Sequence, residues 1–394
     1  SQPGRSFLTW VFILVTAILF CSAITAVWLR QTLFDTNTWV KATSTIMKNS
    51  SVQHDIAEKT VQTIFTSVNV NQYVTELLPD KAKPLAGTIT GSLQTFSTDQ
   101  VQKLLASSQF DQFWQNANRQ AHVALLKTIQ TANDKSQPSA KDEVVFIQKD
   151  QIILNVAPVL QNLKGALVSA GLGFVNNLNV SGLNLTIPLA TVQNLPAILL
   201  AVNTINNLAF WLPIVVLIFA ALTLWVSRNK RKTIMHIAIV TAVLLISSIV
   251  SINVGGYLFV TNLTAQVSAI SSGSAQVVYS TLTADLLSYE KVALALMLLI
   301  VLFTYLTGTS QPALWVRDEI SGLLKGEAKT PALQWLGTYS TLIIGILIAA
   351  TALLIVFAPF RSAPLTLISA SVAGLISIFL LAVRKATTKN STKK

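Results

Sequence analysis

The sequence predicts an α-helical membrane protein: six transmembrane helices plus a mainly α extracytoplasmic domain with a small β-hairpin. Three observations predict it. Only 11% of the 394 residues are charged and 52% are hydrophobic, where a soluble domain is about 25% charged. Six stretches, at 7–29, 208–226, 234–254, 292–306, 339–357 and 365–383, approach or exceed the roughly 20 apolar residues a membrane helix needs, and none holds Asp, Glu, Lys or Arg away from its ends. Between the first two lies a long segment, 30–205, with thirteen basic and eleven acidic residues, which reads as one folded domain in water.

The first stretch is an uncleaved anchor on this reading. A secretory h-region is only about 7–15 residues long, and Cys21 follows Phe20, where a lipoprotein signal needs a small residue. The chain begins at Ser1 rather than Met, which is compatible with a preceding cytoplasmic segment. Cys21 is the only cysteine, so no intramolecular disulfide is available and the outer domain must rest on its apolar core.

Basic residues in short loops set the orientation. With the N-terminus inside, the inner segments carry Arg5, then Arg228, Lys230, Arg231 and Lys232, then Arg317, Lys325 and Lys329, and finally Arg384, Lys385, Lys389, Lys393 and Lys394. The short outer connections carry only Lys291 and Arg361. Trp10, Trp28, Trp211, Trp225, Tyr257, Tyr305 and Tyr339 sit near span ends, where amphipathic rings are favoured. The expected organisation is a cytoplasmic start and first anchor (1–29), an extracytoplasmic helical domain (30–205) and transmembrane helices 2 and 3 (206–262). An outer helical loop (263–291), helix 4 (292–310), a cytoplasmic amphipathic loop (311–337), helices 5 and 6 (338–384) and a basic cytoplasmic tail (385–394) complete it. The expected location is the plasma membrane, with both termini cytoplasmic.

Within 30–205, Ser50 with Gln53 and Ser97 with Gln100 read as capping boxes. Ala57, Val61, Ile64, Phe65 and Val68 then share one helical face. The clearest helix is 109–131, with Phe110, Phe113, Trp114, Ala117, Ala121, Leu125 and Ile129 as its apolar stripe. A polar loop follows at 133–138. The β-branched runs 144–147 and 152–154 read as a hairpin, with a third strand at 183–187. Helix is expected over 156–170, stopping at Gly171 and Gly173, and again from Ala190 into the second span. In the outer loop, Val277, Val278, Leu282, Leu286 and Leu287 predict that the fourth span projects outward as a helix and docks on the outer domain. The inner loop reads as an amphipathic helix on the inner leaflet, with Trp315, Val316, Ile320, Leu323 and Leu324 on one side and Arg317, Asp318 and Lys325 away from it.

Chemistry is sparse. Trp114, Asn118 and His122 are the binding candidates, one helical turn apart on one helix. A half-buried, hydrogen-bonded structural histidine explains His122 better than a ligand, because no Asp, Glu or Cys stands at metal-ligand spacing. His54, near Asp55 and Glu58, reads as an exposed charge cluster, and His236 as a membrane-end anchor. Asp142 and Glu143 read as a solvated pair. The sequons at Asn49, Asn179, Asn184 and Asn262 carry no weight outside a eukaryotic secretory context. Gly-x-Ser-x-Gly and Gly-x-x-x-x-Gly-Lys are absent. No catalytic residue, metal or cofactor is expected, and the near-neutral outer domain argues against nucleic acid. Gly255, Gly256, Gly345 and Gly374 are candidates for close helix approach. The absence of an ionisable residue at mid-depth weighs against a pump or proton-coupled carrier, though not against a passive conduit or a lipid carrier.

The stretches 34–39 and 51–57, Leu77-Leu78-Pro79, the run from Phe113-Trp114 to Ala121-His122 and the basic turn 228–232 resemble a group of uncharacterised bacterial multi-pass integral membrane proteins with a helical extracytoplasmic domain after the first span. The resemblance covers about residues 5–260 and implies a topology and a bacterial plasma membrane, but no activity. The expected function is therefore that of a non-enzymatic cell-envelope protein whose outer domain binds a partner protein or envelope component. The alternative is a transporter or lipid-handling protein, with membrane lipids as partners. An apolar cavity continuous with the bilayer supports the second, and a solid bundle does not.

Overall fold

The computed structural model describes residues 3–131, 145–148, 151–155, 186–191, 195–266, 270–324, 330–357 and 363–391. Several expectations lie outside them: the loop at 133–138, the helix at 156–170 with Gly171 and Gly173, Asp142, Glu143, Asn179 and Asn184. So do the basic residues Lys325, Lys329, Arg361, Lys393 and Lys394.

In chain order the elements are α1 (Pro3–Phe34), α2 (Thr36–Met47), α3 (Ser50–Val68), α4 (Val70–Leu77), a 3-10 turn (Asp80–Leu85), α5 (Ala86–Leu105) and α6 (Ser108–Thr131). Strands β1 (Val145–Gln148), β2 (Gln151–Asn155) and β3 (Thr186–Thr191) follow. Then come α7 (Leu195–Val226), α8 (Lys230–Gln266), α9 (Ser272–Leu306), α10 (Gln311–Leu323), α11 (Pro331–Phe357) and α12 (Ala363–Ser391). Six of these, α1, α7, α8, α9, α11 and α12, are long and apolar enough to cross a membrane, which makes this a multi-pass membrane architecture as the hydropathy predicts. Chain contacts divide the protein into a bundle unit (1–28, 207–252, 285–394) and a head unit (29–206, 253–284).

The bundle unit buries Ile24 of α1, Ala242 and Leu245 of α8, Leu286 and Leu296 of α9 and Ala370 of α12 in one cluster. Small polar residues supplement it. The Thr16 and Thr223 hydroxyls meet at 3.1 Å between α1 and α7, a contact suited to hydrocarbon, where interhelical hydrogen bonds supplement van der Waals packing. Trp10 stacks on His236 with ring centroids 5.0 Å apart. Gly374 lies directly under the Phe303 ring. Gly345, by contrast, faces open space and serves no close approach.

On α10 the packed face carries Ala313 and Ser321, while Trp315 and Leu323 point outward. Arg317 is not on a solvated side as expected. Its guanidinium donates to the carbonyls of Thr307 and Gly308 just past the end of α9. Carbonyls at a helix C-terminus lack intrahelical partners and attract a cation. Asp318 pairs with Lys385 of α12.

In the head unit α2 and α6 run antiparallel, and α5 packs on α3. Both expected capping boxes are replaced. Asn49 is the cap of α3, its side chain accepting from the Ser51 amide at 3.0 Å. Gln53 instead donates to the Leu105 carbonyl at 3.4 Å, tying α3 to the end of α5. Ser97 lies inside α5, which is unbroken from Ala86. There tertiary packing overrides a local start signal. Asn69, at φ 51°, makes the left-handed joint between α3 and α4. Strands β1 and β2 pair antiparallel with Ile147 opposite Ile152. β2 also pairs antiparallel with β3, where Pro188 is placed on an edge strand, the position that spares a missing amide. Ala190 therefore belongs to a strand, and the helix expected from it begins at Leu195.

α9 begins at Ser272, twenty residues before the apolar run, because no Gly or Pro interrupts 274–306. Its first turns pack within the head unit as expected. The Ser271 amide donates to Asp55 Oδ2 at 2.7 Å, and Tyr279 covers Gly255 and Gly256. Burial alone would raise the Asp55 carboxyl. Hydrogen bonds from Ser274 and Ser271, with His54 nearby, outweigh burial and hold the carboxyl below its usual value.

Candidate functional site

Trp114, Asn118 and His122 stand one turn apart on α6, and Asn118 and His122 meet α2. His122 is 5% exposed. Its Nε2 is 3.1 Å from the Leu33 carbonyl, which can only accept, so Nε2 carries the proton. Nδ1 then accepts from the Thr36 hydroxyl at 3.1 Å. Leu33 is in the last turn of α1 and Thr36 opens α2, so one imidazole bridges the α1–α2 junction. Its ring stacks on Trp39, 5.3 Å away and tilted by 18°.

Asn118 accepts from Trp39 Nε1 at 3.1 Å and donates to the Thr43 hydroxyl. Arg119 donates to Asn37 at 2.8 Å, and Lys48 pairs with Asp111 at 2.9 Å. Trp114 stacks on Phe110, and its Nε1 has no hydrogen-bond partner among the described residues. This is a polar seam between two helices, with the polar groups of His122 and Asn118 turned toward α2. Burial lowers the His122 imidazole against the opposing pull of the Leu33 carbonyl and Asp35. His54 is exposed, 3.2 Å from Gln102 and 3.9 Å from Glu58. Among the described residues no group of three His, Cys, Asp or Glu could hold a metal.

The bundle unit holds two features that sequence reasoning missed. The first is Glu290, 2% exposed on α9. Its Oε1 accepts from the Ser248 hydroxyl of α8 at 2.6 Å, and Oε2 has no hydrogen-bond partner among the described residues. At 1.5 Å per residue, Glu290 is about 24 Å from the end of α9 and Ser248 about 27 Å from the start of α8. Both stand on helices long and apolar enough to cross a membrane. The apolar run on α9 begins at 292, so Glu290 was placed outside the span, whereas the helix carries it into the core.

The second is a cavity of about 560 Å³ between α8, α9, α11 and α12. Leu299, Ile300, Phe303, Ile344, Ile348 and Ala373 form much of its wall. Lys230 and Arg231, at the start of α8, and Arg384, near the end of α12, stand at one end, and no carboxylate among the described residues lines it. Arg384 donates to Thr341 at 3.1 Å within the same wall.

Compared with known proteins, the chain matches no family model, no curated protein and no solved structure. The functional reading rests on geometry.

Proposed function

We propose that this is a non-enzymatic lipid-handling protein of a bacterial plasma membrane, with both termini cytoplasmic and the 30–205 segment outside. The observation that carries the reading is the cavity between α8, α9, α11 and α12, apolar along its length and basic at one end. Its volume falls in the range of small-molecule sites, and lipid tails need no polar lining. The basic turn 228–232 and the tail support the orientation. The resemblance of 5–260 to bacterial membrane proteins supports the location.

The test is the lipid content of the purified full chain after detergent washing, measured by mass spectrometry. The wild type is expected to retain about one lipid per chain. Gly374→Leu is expected to lose it, because the new side chain overlaps the Phe303 ring and drives that ring into the cavity it lines. The overpacking also costs about 1–3 kcal/mol of bundle stability. Equal lipid retention by wild type and variant overturns the reading.

A second reading, in which the outer domain binds a partner protein or envelope component, is favoured by Tyr73, Leu77, Leu85 and Phe96. These expose large apolar side chains on α4, α5 and the turn between them, Leu77 at 83%. A photocrosslinker at position 77 in native membranes should form one discrete adduct. A smear, or no adduct at all, removes this reading.

A further inference from the structure

We infer that the cavity takes a lipid with a net-negative phosphate headgroup from the leaflet at its basic end, held there by Lys230, Arg231 and Arg384. This rests on the lipid-handling reading and adds the chemical class of the ligand. Three observations carry it.

The first is charge. Among the described residues, three cations and no carboxylate line the cavity. Two other cations of the unit are engaged elsewhere: Arg317 holds the carbonyls past the end of α9, and Lys385 pairs with Asp318. Neither belongs to the lining. Lys230 is also the first residue of α8, a 37-residue helix, whose N-terminal dipole adds a positive field at the same end. A net-negative headgroup matches this charge better than a zwitterionic or neutral one.

The second is the position of the charge. Arg384 is fourteen residues beyond Ala370 on α12, and Leu296 is eleven residues before Thr307 on α9. At 1.5 Å per residue the lining therefore runs about 16–21 Å along the helices. That is close to one leaflet of a hydrocarbon layer about 30 Å thick. All three cations stand at the same end of that length, as headgroup contacts must when the chain points to the midplane.

The third is the wall between. Below the basic end it is built of Leu299, Ile300, Phe303, Ile344 and Ile348, with hydroxyls from Thr and Ser but no charge. A free phosphate would use the cations and leave this wall unoccupied, whereas a lipid uses both. Basic pockets between transmembrane helices are a recurrent solution for anionic headgroups.

The test is native mass spectrometry on the full chain in detergent. The protein is titrated with phosphatidylglycerol, with phosphatidylcholine of identical chains, and with glycerol phosphate as a headgroup-only probe. The wild type should bind phosphatidylglycerol at least about tenfold more tightly than phosphatidylcholine, at roughly fivefold per cation. The Lys230→Gln, Arg231→Gln, Arg384→Gln triple variant should lose that preference. Arg228→Gln with Lys232→Gln, which changes the same turn but not the lining, should keep it. If the triple variant does not fold, Lys230→Gln alone, at an exposed helix start, should still narrow the preference several-fold.

Equal binding of both lipids by the wild type, or an unchanged preference in the cation variants, overturns the headgroup inference and leaves the lipid-handling reading standing. Binding of neither lipid removes both. Glycerol phosphate competing as well as phosphatidylglycerol assigns the cations to a free phosphate and overturns the lipid source.

Discussion

His122→Ala is expected to weaken the packing of α6 on α2 by about 2–3 kcal/mol, read as faster hydrogen exchange of α6 amides in the full chain. The imidazole makes two hydrogen bonds, to the Leu33 carbonyl and the Thr36 hydroxyl, and stacks on Trp39. Each hydrogen bond is worth about 0.5–1.5 kcal/mol net, and a stacked ring pair about as much. Removing the ring also strips the last turn of α1 of a carbonyl partner. The same residue predicts a pH dependence. Burial lowers the folded imidazole, so the folded form resists a proton that the unfolded segment accepts. The stabilisation is complete above about pH 6.5, the ordinary imidazole value, and is lost as pH falls through the depressed folded value. The protection factors of α6 amides, taken relative to the intrinsic exchange rate at each pH, should therefore fall between pH 7.5 and pH 5 in the wild type, and His122→Gln should flatten that response. An α6 equally protected in His122→Ala, or a wild type indifferent to pH, would mean that the seam is held by Asn118, Arg119 and the Lys48–Asp111 pair without His122.

How much of this was legible depends on whether the signal was local. The six spans were legible because hydropathy over some twenty residues is set by the bilayer, and α6 because its apolar stripe has the helical period over six turns. The face bearing Trp114, Asn118 and His122 was legible from spacing; its partner α2 was not, because the pairing of residue 36 with residue 122 leaves no local mark. Capping was misread where a better cap stood one residue earlier, at Asn49. The cavity could not be read at all, since its wall draws on residues near 230, 300, 344 and 374 that only the folded bundle assembles. Glu290 was different. Leu286, Glu290, Ala293 and Met297 follow the 4-3-4 spacing of a buried stripe. That spacing could have placed the carboxyl inside the bundle, had the helix been allowed to begin before residue 292.

Glu290→Leu is accordingly expected to raise the thermal midpoint of the protein in detergent by several degrees, for about 1–3 kcal/mol gained. The carboxyl is buried beside the apolar cluster's Tyr289, and among the described residues Ser248 is its hydrogen-bond partner and Oε2 has none. Charged, it would stand in hydrocarbon without a cation, a cost of several kcal/mol. Neutral, it would still hold a polar oxygen without a hydrogen bond. Leucine has similar bulk and removes both costs. Ser248 does not become an orphan, because a serine hydroxyl in a helix can return to the carbonyl four residues before it. Glu290→Gln separates charge from polarity: it keeps an acceptor for Ser248 and should fall between leucine and the wild type. A midpoint that drops in Glu290→Leu would show that the carboxyl holds α8 to α9 more strongly than one hydrogen bond accounts for. A rise has the opposite meaning. It would show that the unsatisfied carboxyl costs the α8–α9 packing more than its hydrogen bond to Ser248 returns.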